Sequence, residues 1–366
     1  MSINRVVISG GGTGGHIFPA VAIADEIKRR NPTTEILFVG AIGKMEMEKV
    51  PAAGYRIVGL NIVGFQRKFT LKNFLLPFKI VASLLKARKI LKEFKPQVVI
   101  GVGGFASGPT LQAATYLNIP TLVQEQNSFP GKTNKILSKK VTKICTAYEG
   151  LDKFFPADKI IETGNPVRSE MVLIEGKREE AYQFYNLDAS KKTILIIGGS
   201  LGARTLNESL LPFVKELQSK KIQVLWQCGS FYYDTLKAQI DDLDMTGINM
   251  VKFINRMDLA YALADVVISR AGAISVSELC LIKKPTILVP SPNVAEDHQT
   301  KNAMALVNKN AAILVKDIES KVNLIPTVIE LLANENEQTN LISAISELGK
   351  PNATASIVDE IEKIVK

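Results

Sequence analysis

Four times along this 366-residue chain a short apolar run ends in a loop of small residues and passes into a helical pattern. The runs are Arg5-Val6-Val7-Ile8-Ser9, Pro96-Gln97-Val98-Val99-Ile100, Thr193-Ile194-Leu195-Ile196-Ile197 and Val266-Val267-Ile268-Ser269. The loops that follow begin at Gly10, Gly101, Gly198 and Arg270. Apolar runs of this length bounded by glycine read as buried strands, and their alternation with helices predicts a doubly wound α/β architecture. Two such units fall in each half. The chain is long enough for two similar domains, each with loops able to hold anions at the carboxyl ends of its strands, facing one another across a cleft.

The first loop, Gly10-Gly11-Gly12-Thr13-Gly14-Gly15-His16, shows what such a turn can do. A strand-to-helix turn directs backbone N–H groups and the positive end of a helix dipole at one spot, and glycine admits a phosphate closely. A diphosphate is the expected ligand, although a tight turn chosen only for packing gives the same pattern. Pro19 is expected near the first helical turn, where a missing N–H costs nothing. The spacing also matches the dinucleotide fingerprint, which requires an acid at the end of the second strand. Glu35-Ile36-Leu37-Phe38-Val39 ends instead in Gly40-Ala41, so a nicotinamide or flavin dinucleotide is not expected.

Composition narrows the setting. Apolar residues make up 46% of the chain and charged ones 22%, as in a globular protein, and Cys145, Cys228 and Cys280 lie in separate apolar stretches without CxxC spacing. No run of about 18 apolar residues occurs and the N-terminus reads as a strand, so a soluble cytoplasmic protein is expected. The net charge of +9 suits phosphorylated substrates, anionic lipid or nucleic acid. It concentrates between Arg67 and Lys95, which hold nine basic residues and one acid, Glu93, around the apolar cluster Phe74, Leu75, Leu76 and Phe78. That pairing fits an anionic membrane surface, and equally a packed helix with a solvated basic face.

Both histidines, His16 and His298, adjoin ligand-type loops. His16 ends the first glycine loop, where the helix dipole favours a neutral imidazole able to act as a base; a simple capping role is the alternative. Glu278 lies in the helix after the fourth loop, placed to accept both hydroxyls of a nucleotide ribose or to face solvent. Asn293–Asn302 and Gln124-Glu125-Gln126-Asn127 are dense in donors and acceptors that suit sugar hydroxyls, or polar turns. Asp242-Leu243-Asp244 does not directly follow a strand and reads as surface. No His, Cys or Asp cluster has ligand spacing, and there is no Gly-x-x-x-x-Gly-Lys loop, so neither a metal nor a cofactor is expected.

Taken in order, Gly-Gly-Thr-Gly-Gly-His (11–16), Gly-Gly-Phe-Ala-Ser-Gly-Pro (103–109), Glu-Gln-Asn (125–127), Gly-Asn-Pro-Val-Arg (164–168), Gly-Gly-Ser-Leu-Gly-Ala-Arg (198–204), Ser-Arg-Ala-Gly-Ala-Ile-Ser-Val-Ser-Glu (269–278) and Asp-His-Gln-Thr-Lys-Asn-Ala (297–303) closely resemble the MurG family of bacterial transferases. The resemblance implies the GT-B fold, two Rossmann-like domains facing across a cleft. It implies inverting transfer of N-acetylglucosamine from UDP-N-acetylglucosamine to the C4 hydroxyl of the undecaprenyl-diphosphate-linked muramyl pentapeptide, converting lipid I to lipid II. An N-terminal acceptor- and membrane-binding domain would take residues 1–163 and about 345–366, and a C-terminal UDP-sugar-binding domain residues 164–344.

By motif match the donor contacts would be Thr13, Gly14, Gly15, Asn127, Arg168, Ser200, Ile254, Ala273, Ile274, Ser275, Val276, Ser277, Glu278 and Gln299. Glu278 would hold the ribose, and the backbone near Ile254 the uracil. Gly12, Thr13, His16, Gly104, Ala106 and Ser107 would face the acceptor diphosphate, with His16 as candidate base. Lys72, Phe74, Leu75, Leu76, Phe78, Lys79 and Lys86 would form a patch on the cytoplasmic face of the inner membrane, and nucleic acid is not an expected partner. Gln124 departs from the family where some members carry histidine. An epimerase of the same fold and a non-catalytic lipid-diphosphate scaffold are the alternatives.

Overall fold

The computed structural model describes residues 3–62, 76–199 and 201–365. Ser200, Lys72, Phe74 and Leu75 lie outside the described residues, and Leu76 is described only as the first residue of its helix. The chain divides into two compact units, Met1–Val167 with Lys350–Lys366, and Arg168–Gly349. The sequence reading places these crossings at 163/164 and near 345. The stretch from Gly164 to Val167 stays with the first unit for a physical reason. Asn165 accepts from Gln124 Nε2 at 3.0 Å and donates to Gln126 O at 3.0 Å. Gly164, at φ +90°, lies so close beneath Lys350 that a Cβ there would sit 2.6 Å from the lysine's own Cβ.

In the first unit β1 (Arg5–Gly10), β2 (Glu35–Ala41), β3 (Arg56–Leu60), β4 (Val98–Gly103), β5 (Thr121–Glu125), β6 (Lys143–Thr146) and β7 (Ile160–Glu162) form one sheet in the order β3-β2-β1-β4-β5-β6-β7. In the second, β8 (Thr193–Ile197), β9 (Gln223–Gln227), β10 (Ile248–Val251), β11 (Val266–Ser269), β12 (Thr286–Leu288) and β13 (Ile313–Leu314) run in the order β10-β9-β8-β11-β12-β13. Every strand pair in both is parallel. Parallel strands buried on both faces explain the uninterrupted Val/Ile/Leu runs: Val6, Val7, Ile8, Ile194, Leu195 and Ile196 have no exposed surface.

The winding reverses between β1 and β4 in the first sheet and between β8 and β11 in the second. Ligands of open α/β sheets sit outside the carboxyl ends of strands at such switch points. The loops there are the four that the sequence repeats. Cys145, Cys228 and Cys280 are buried free thiols.

The last helix, Ala353–Ile364, is clamped onto the first unit by Arg30, at the end of the Gly14–Arg30 helix. The guanidinium reaches Glu26 at 2.8 Å, Asp359 at 2.7 Å and the carbonyl of Ala355 at 2.9 Å. Hydrogen bonds from Arg29 and Arg30 hold Glu26 down to about 2, against the opposing effect of its partial burial. Arg30→Ala is expected to cost the first unit about 2 kcal/mol at neutral pH. A depressed carboxyl contributes stability above its ordinary value of about 4.3 and loses it as pH falls through the folded value, so the deficit in thermal midpoint should narrow as the pH is lowered from about 4 toward 2. A deficit independent of pH would exclude Glu26 as a source.

Candidate functional site

In the first unit the loops after β1 and β4 are packed back to back. The register between these strands shifts so that Gly10 lies opposite Gly103. A Cβ on Gly104, at φ +89°, would stand 2.4 Å from Gly11 O, so no other residue fits without moving the β1 loop. Thr13 precedes the helix, and its carbonyl accepts from His16 N and Ile17 N at 3.1 and 3.2 Å. Pro19 falls in the second helical turn, not the first, and removes the N–H that would reach Gly15 O.

His16 Nδ1 lies 3.0 Å from Gly11 O and 3.4 Å from Thr13 Oγ1. A carbonyl only accepts, so Nδ1 carries the proton, and in a neutral ring the lone pair is then on Nε2. Nε2 is on the edge against Gly103, where a Cβ would come within 2.8 Å.

Two residues assigned to the acceptor diphosphate are otherwise engaged. The Gly12 amide donates to Glu46 Oε2 at 2.7 Å. Ser107 is fully buried, its hydroxyl directed toward Gly101 with no hydrogen-bond partner, so its backbone amide is what the Ser107–Tyr116 helix can offer a ligand. Ala106 is likewise buried and can contribute only backbone, whereas Thr13 and Gly15 are exposed.

The polar stretch after β5 organises its own loop. Glu125, 1% exposed, accepts from Asn127 N (3.0 Å) and Nδ2 (3.2 Å) with one oxygen, and from Gly131 N (3.1 Å) and Asn134 Nδ2 (2.8 Å) with the other. Gln124, fully buried, brackets Gln126 and Asn165 through side-chain amides. At this departure from the family pattern the residue therefore joins β5 to the segment leaving the unit.

The second unit contains a pocket of about 410 Å³ at its switch point, lined by the glycines of the β8 loop together with Arg270, Gly272, Ser275 and Gln299. Gly272 precedes the Ala273–Ile282 helix, whose first amides therefore end at the pocket wall. Gln299 Oε1 accepts from Ser291 N at 2.8 Å and holds the loop after β12. Val276 is buried in the core and Ser277 Oγ donates back to Ala273 O, so these two positions offer mainly backbone. Ile254 is 2% exposed, its side chain spent on the core.

Glu278 Oε2 accepts from the Tyr261 hydroxyl at 2.8 Å, and Tyr261 is itself 1% exposed. Burial pushes the Glu278 carboxyl above its usual range, opposed by the Tyr261 hydrogen bond and by the charge of Arg168. The Tyr261 hydroxyl is in turn pushed well up by burial and by the Glu278 charge.

Three participants escape a sequence reading. Arg270 lines the pocket but bonds Val289 O at 3.0 Å and pairs with Asp317, which also accepts from Thr205 Oγ1 at 2.9 Å. Its charge is thus neutralised at the pocket floor, and Asp317 lies too far along the chain for spacing to reveal it. Tyr261 is hidden among apolar helix residues. Glu46 stands five residues beyond β2, where nothing in the local pattern distinguishes it from a surface acid.

The exposed face of the Leu76–Phe94 helix is also part of the picture. Ala87 and Leu91 are buried against the first unit, yet Phe78 (75% exposed), Val81 and Leu85 line the opposite side. Lys79 is half-buried, and the Lys86 ammonium is turned to Gly59 O at 2.8 Å. No described helix is long and apolar enough to cross a membrane.

Two parallel sheets, each with an anion-suited loop pair at its switch point, and a half-buried carboxylate in the helix that follows one of those loops, fit a two-domain α/β enzyme of the nucleotide-sugar type. The chain belongs to glycosyltransferase family 28: the model of that family's N-terminal domain matches residues 6–146, and that of its C-terminal domain residues 193–360. Relatives from Flavobacterium psychrophilum and Christiangramia forsetii are each 54% identical over 99% of this chain and 98% of their own length. Both are named UDP-N-acetylglucosamine--N-acetylmuramyl-(pentapeptide) pyrophosphoryl-undecaprenol N-acetylglucosamine transferase. The crystal structure of Acinetobacter baumannii MurG is 30% identical and superposes with a TM-score of 0.79, covering 98% of this chain and 99% of that one. A UDP-GlcNAc 2-epimerase from Neisseria meningitidis, 16% identical with a TM-score of 0.68 over 99% of this chain and all of its own, shares the fold.

Proposed function

We propose that this protein moves N-acetylglucosamine from UDP-N-acetylglucosamine to the C4 hydroxyl of an undecaprenyl-diphosphate-linked muramyl pentapeptide, with inversion at the anomeric carbon. The observation that carries the reading is the 54% identity, over nearly the whole length, to relatives named for this reaction.

The second unit takes the donor. Glu278, with Oε2 fixed by Tyr261, presents Oε1 to the ribose hydroxyls. The backbone about Ile254 receives the uracil, and the diphosphate lies on the Ala273–Ile282 helix terminus and the loop that includes Ser200. As the glycosidic bond breaks, charge develops on the departing UDP, and these oriented amides with Arg168 stabilise it. Gln299 attends the sugar.

The first unit takes the acceptor diphosphate at the amides that begin the Gly14–Arg30 and Ser107–Tyr116 helices, beside Gly104 and Ala106. His16 Nε2 accepts the proton of the attacking C4 hydroxyl. The apolar outer face of the Leu76–Phe94 helix, with the basic residues around it, rests on anionic lipid at the cytoplasmic face of the membrane.

Tyr261→Phe supplies one check. Ribose binding needs the carboxylate, so donor affinity falls as pH drops through the Glu278 pKa. Removing the phenol removes a group that lowers that pKa, which moves the fall-off to higher pH. Titrations with UDP across pH should show that displacement, and an unmoved midpoint contradicts it. The reaction itself is tested by UDP release, which is expected only when the lipid-linked acceptor is present. Conversion of the sugar nucleotide to its 2-epimer without acceptor would replace the transferase by an epimerase.

A further inference from the structure

The Gly11–Gly12 peptide is held at both ends. Its N–H donates to Glu46 Oε2 at 2.7 Å, and its C=O accepts from His16 Nδ1 at 3.0 Å. In a planar trans peptide these two groups point in opposite directions, so fixing one aims the other. Glu46 is 1% exposed, and its second oxygen is anchored by the Ala41 amide at 2.9 Å. The space it fills exists because Gly11 and Gly40 lack side chains: a Cβ on either would come within 2.6 Å of the Glu46 side chain.

From this arrangement we propose that Glu46 is a positioning residue for the transfer, acting on His16 through the Gly11–Gly12 peptide. The carboxylate polarises the amide, which makes Gly11 O a stronger acceptor and holds the imidazole in the Nδ1–H tautomer. That leaves Nε2 as the basic nitrogen and raises its basicity, as a carboxylate does when bonded directly to a histidine, here with one peptide between them. The acid missing from the end of β2 is thus present a few residues later and faces inward, toward the loop instead of toward a ribose. The inference rests on the reading of His16 as the base.

Glu46→Gln keeps the shape, but its amide has one acceptor where two backbone donors converge. Loss of a supporting partner of this kind costs about 10–100-fold in activity. The variant is therefore expected to lose that much kcat while binding UDP as the wild type does. The chain has two histidines, so ¹⁵N-histidine spectra can be assigned with the single variant His298→Gln. Wild-type His16 should be protonated on Nδ1, and Glu46→Gln should give a mixture of tautomers. The double variant with His16→Ala should be no slower than His16→Ala alone. Multiplying rate losses, an unchanged tautomer, or a Glu46→Gln enzyme as fast as the wild type each overturn the relay. A slow His16→Ala with a silent Glu46→Gln refutes the relay alone, whereas a silent His16→Ala refutes the base and the relay with it. If Glu46→Gln does not fold, Glu46→Asp, one methylene too short to span both amides, is read the same way.

Discussion

Glu278→Ala is expected to weaken UDP binding by more than about a hundredfold. In the proposed donor mode the carboxylate oxygen not used by Tyr261 accepts from the ribose hydroxyls, and hydrogen bonds to a charged group contribute about 1.5–3 kcal/mol each. The change also strands the Tyr261 hydroxyl, which is 1% exposed. Folding should respond differently from binding. Burial raises the Glu278 pKa, so above that value the ionised group destabilises the empty protein. Glu278→Gln, which keeps the volume and removes the charge, should therefore melt no lower than the wild type while still losing donor affinity. A variant that melts lower and binds UDP normally would mean that Glu278 serves the fold.

His16→Ala is expected to lower kcat by about 10²–10⁴ with UDP affinity unchanged. The ring's Nδ1 is committed to Gly11 O, so in the proposed mechanism proton acceptance falls to Nε2, and alanine leaves no group at that position to take the C4 hydroxyl proton. Water can substitute only weakly, which sets the size of the residual rate. Turnover close to wild type at saturating concentrations of both substrates would assign the base elsewhere.

Much of this was legible in the chain itself. Central parallel strands are buried on both faces, so Val6–Ile8 and Ile194–Ile197 announce themselves as apolar runs, and the small-residue loops after β1, β4, β8 and β11 mark the switch points. The surplus of apolar residues near Phe78 was visible because a helix needs one apolar face to bury, and this one carries a second that stays exposed. What spacing could not supply were partners made by topology. Asp317 meets Arg270 across 47 positions, and Tyr261 reaches Glu278 from a helix that otherwise looks like core. Glu46 was hidden for a subtler reason: its burial comes from side chains that Gly11 and Gly40 do not have. Gly40-Ala41 carries no acid of its own at the end of β2, yet the same glycine leaves room for the Glu46 side chain. The Gly12 amide and the Ser107 hydroxyl look in sequence like ligand groups, and both are turned to the interior of the unit.

The most direct test is to follow the sugar. With radiolabelled UDP-N-acetylglucosamine, a lipid I analogue and excess EDTA, label should pass into the organic-extractable lipid in a β-1,4 linkage, and it should do so at background rates with Glu278→Ala. Label that stays in the aqueous nucleotide pool, with folded enzyme and intact acceptor, would contradict the transfer itself.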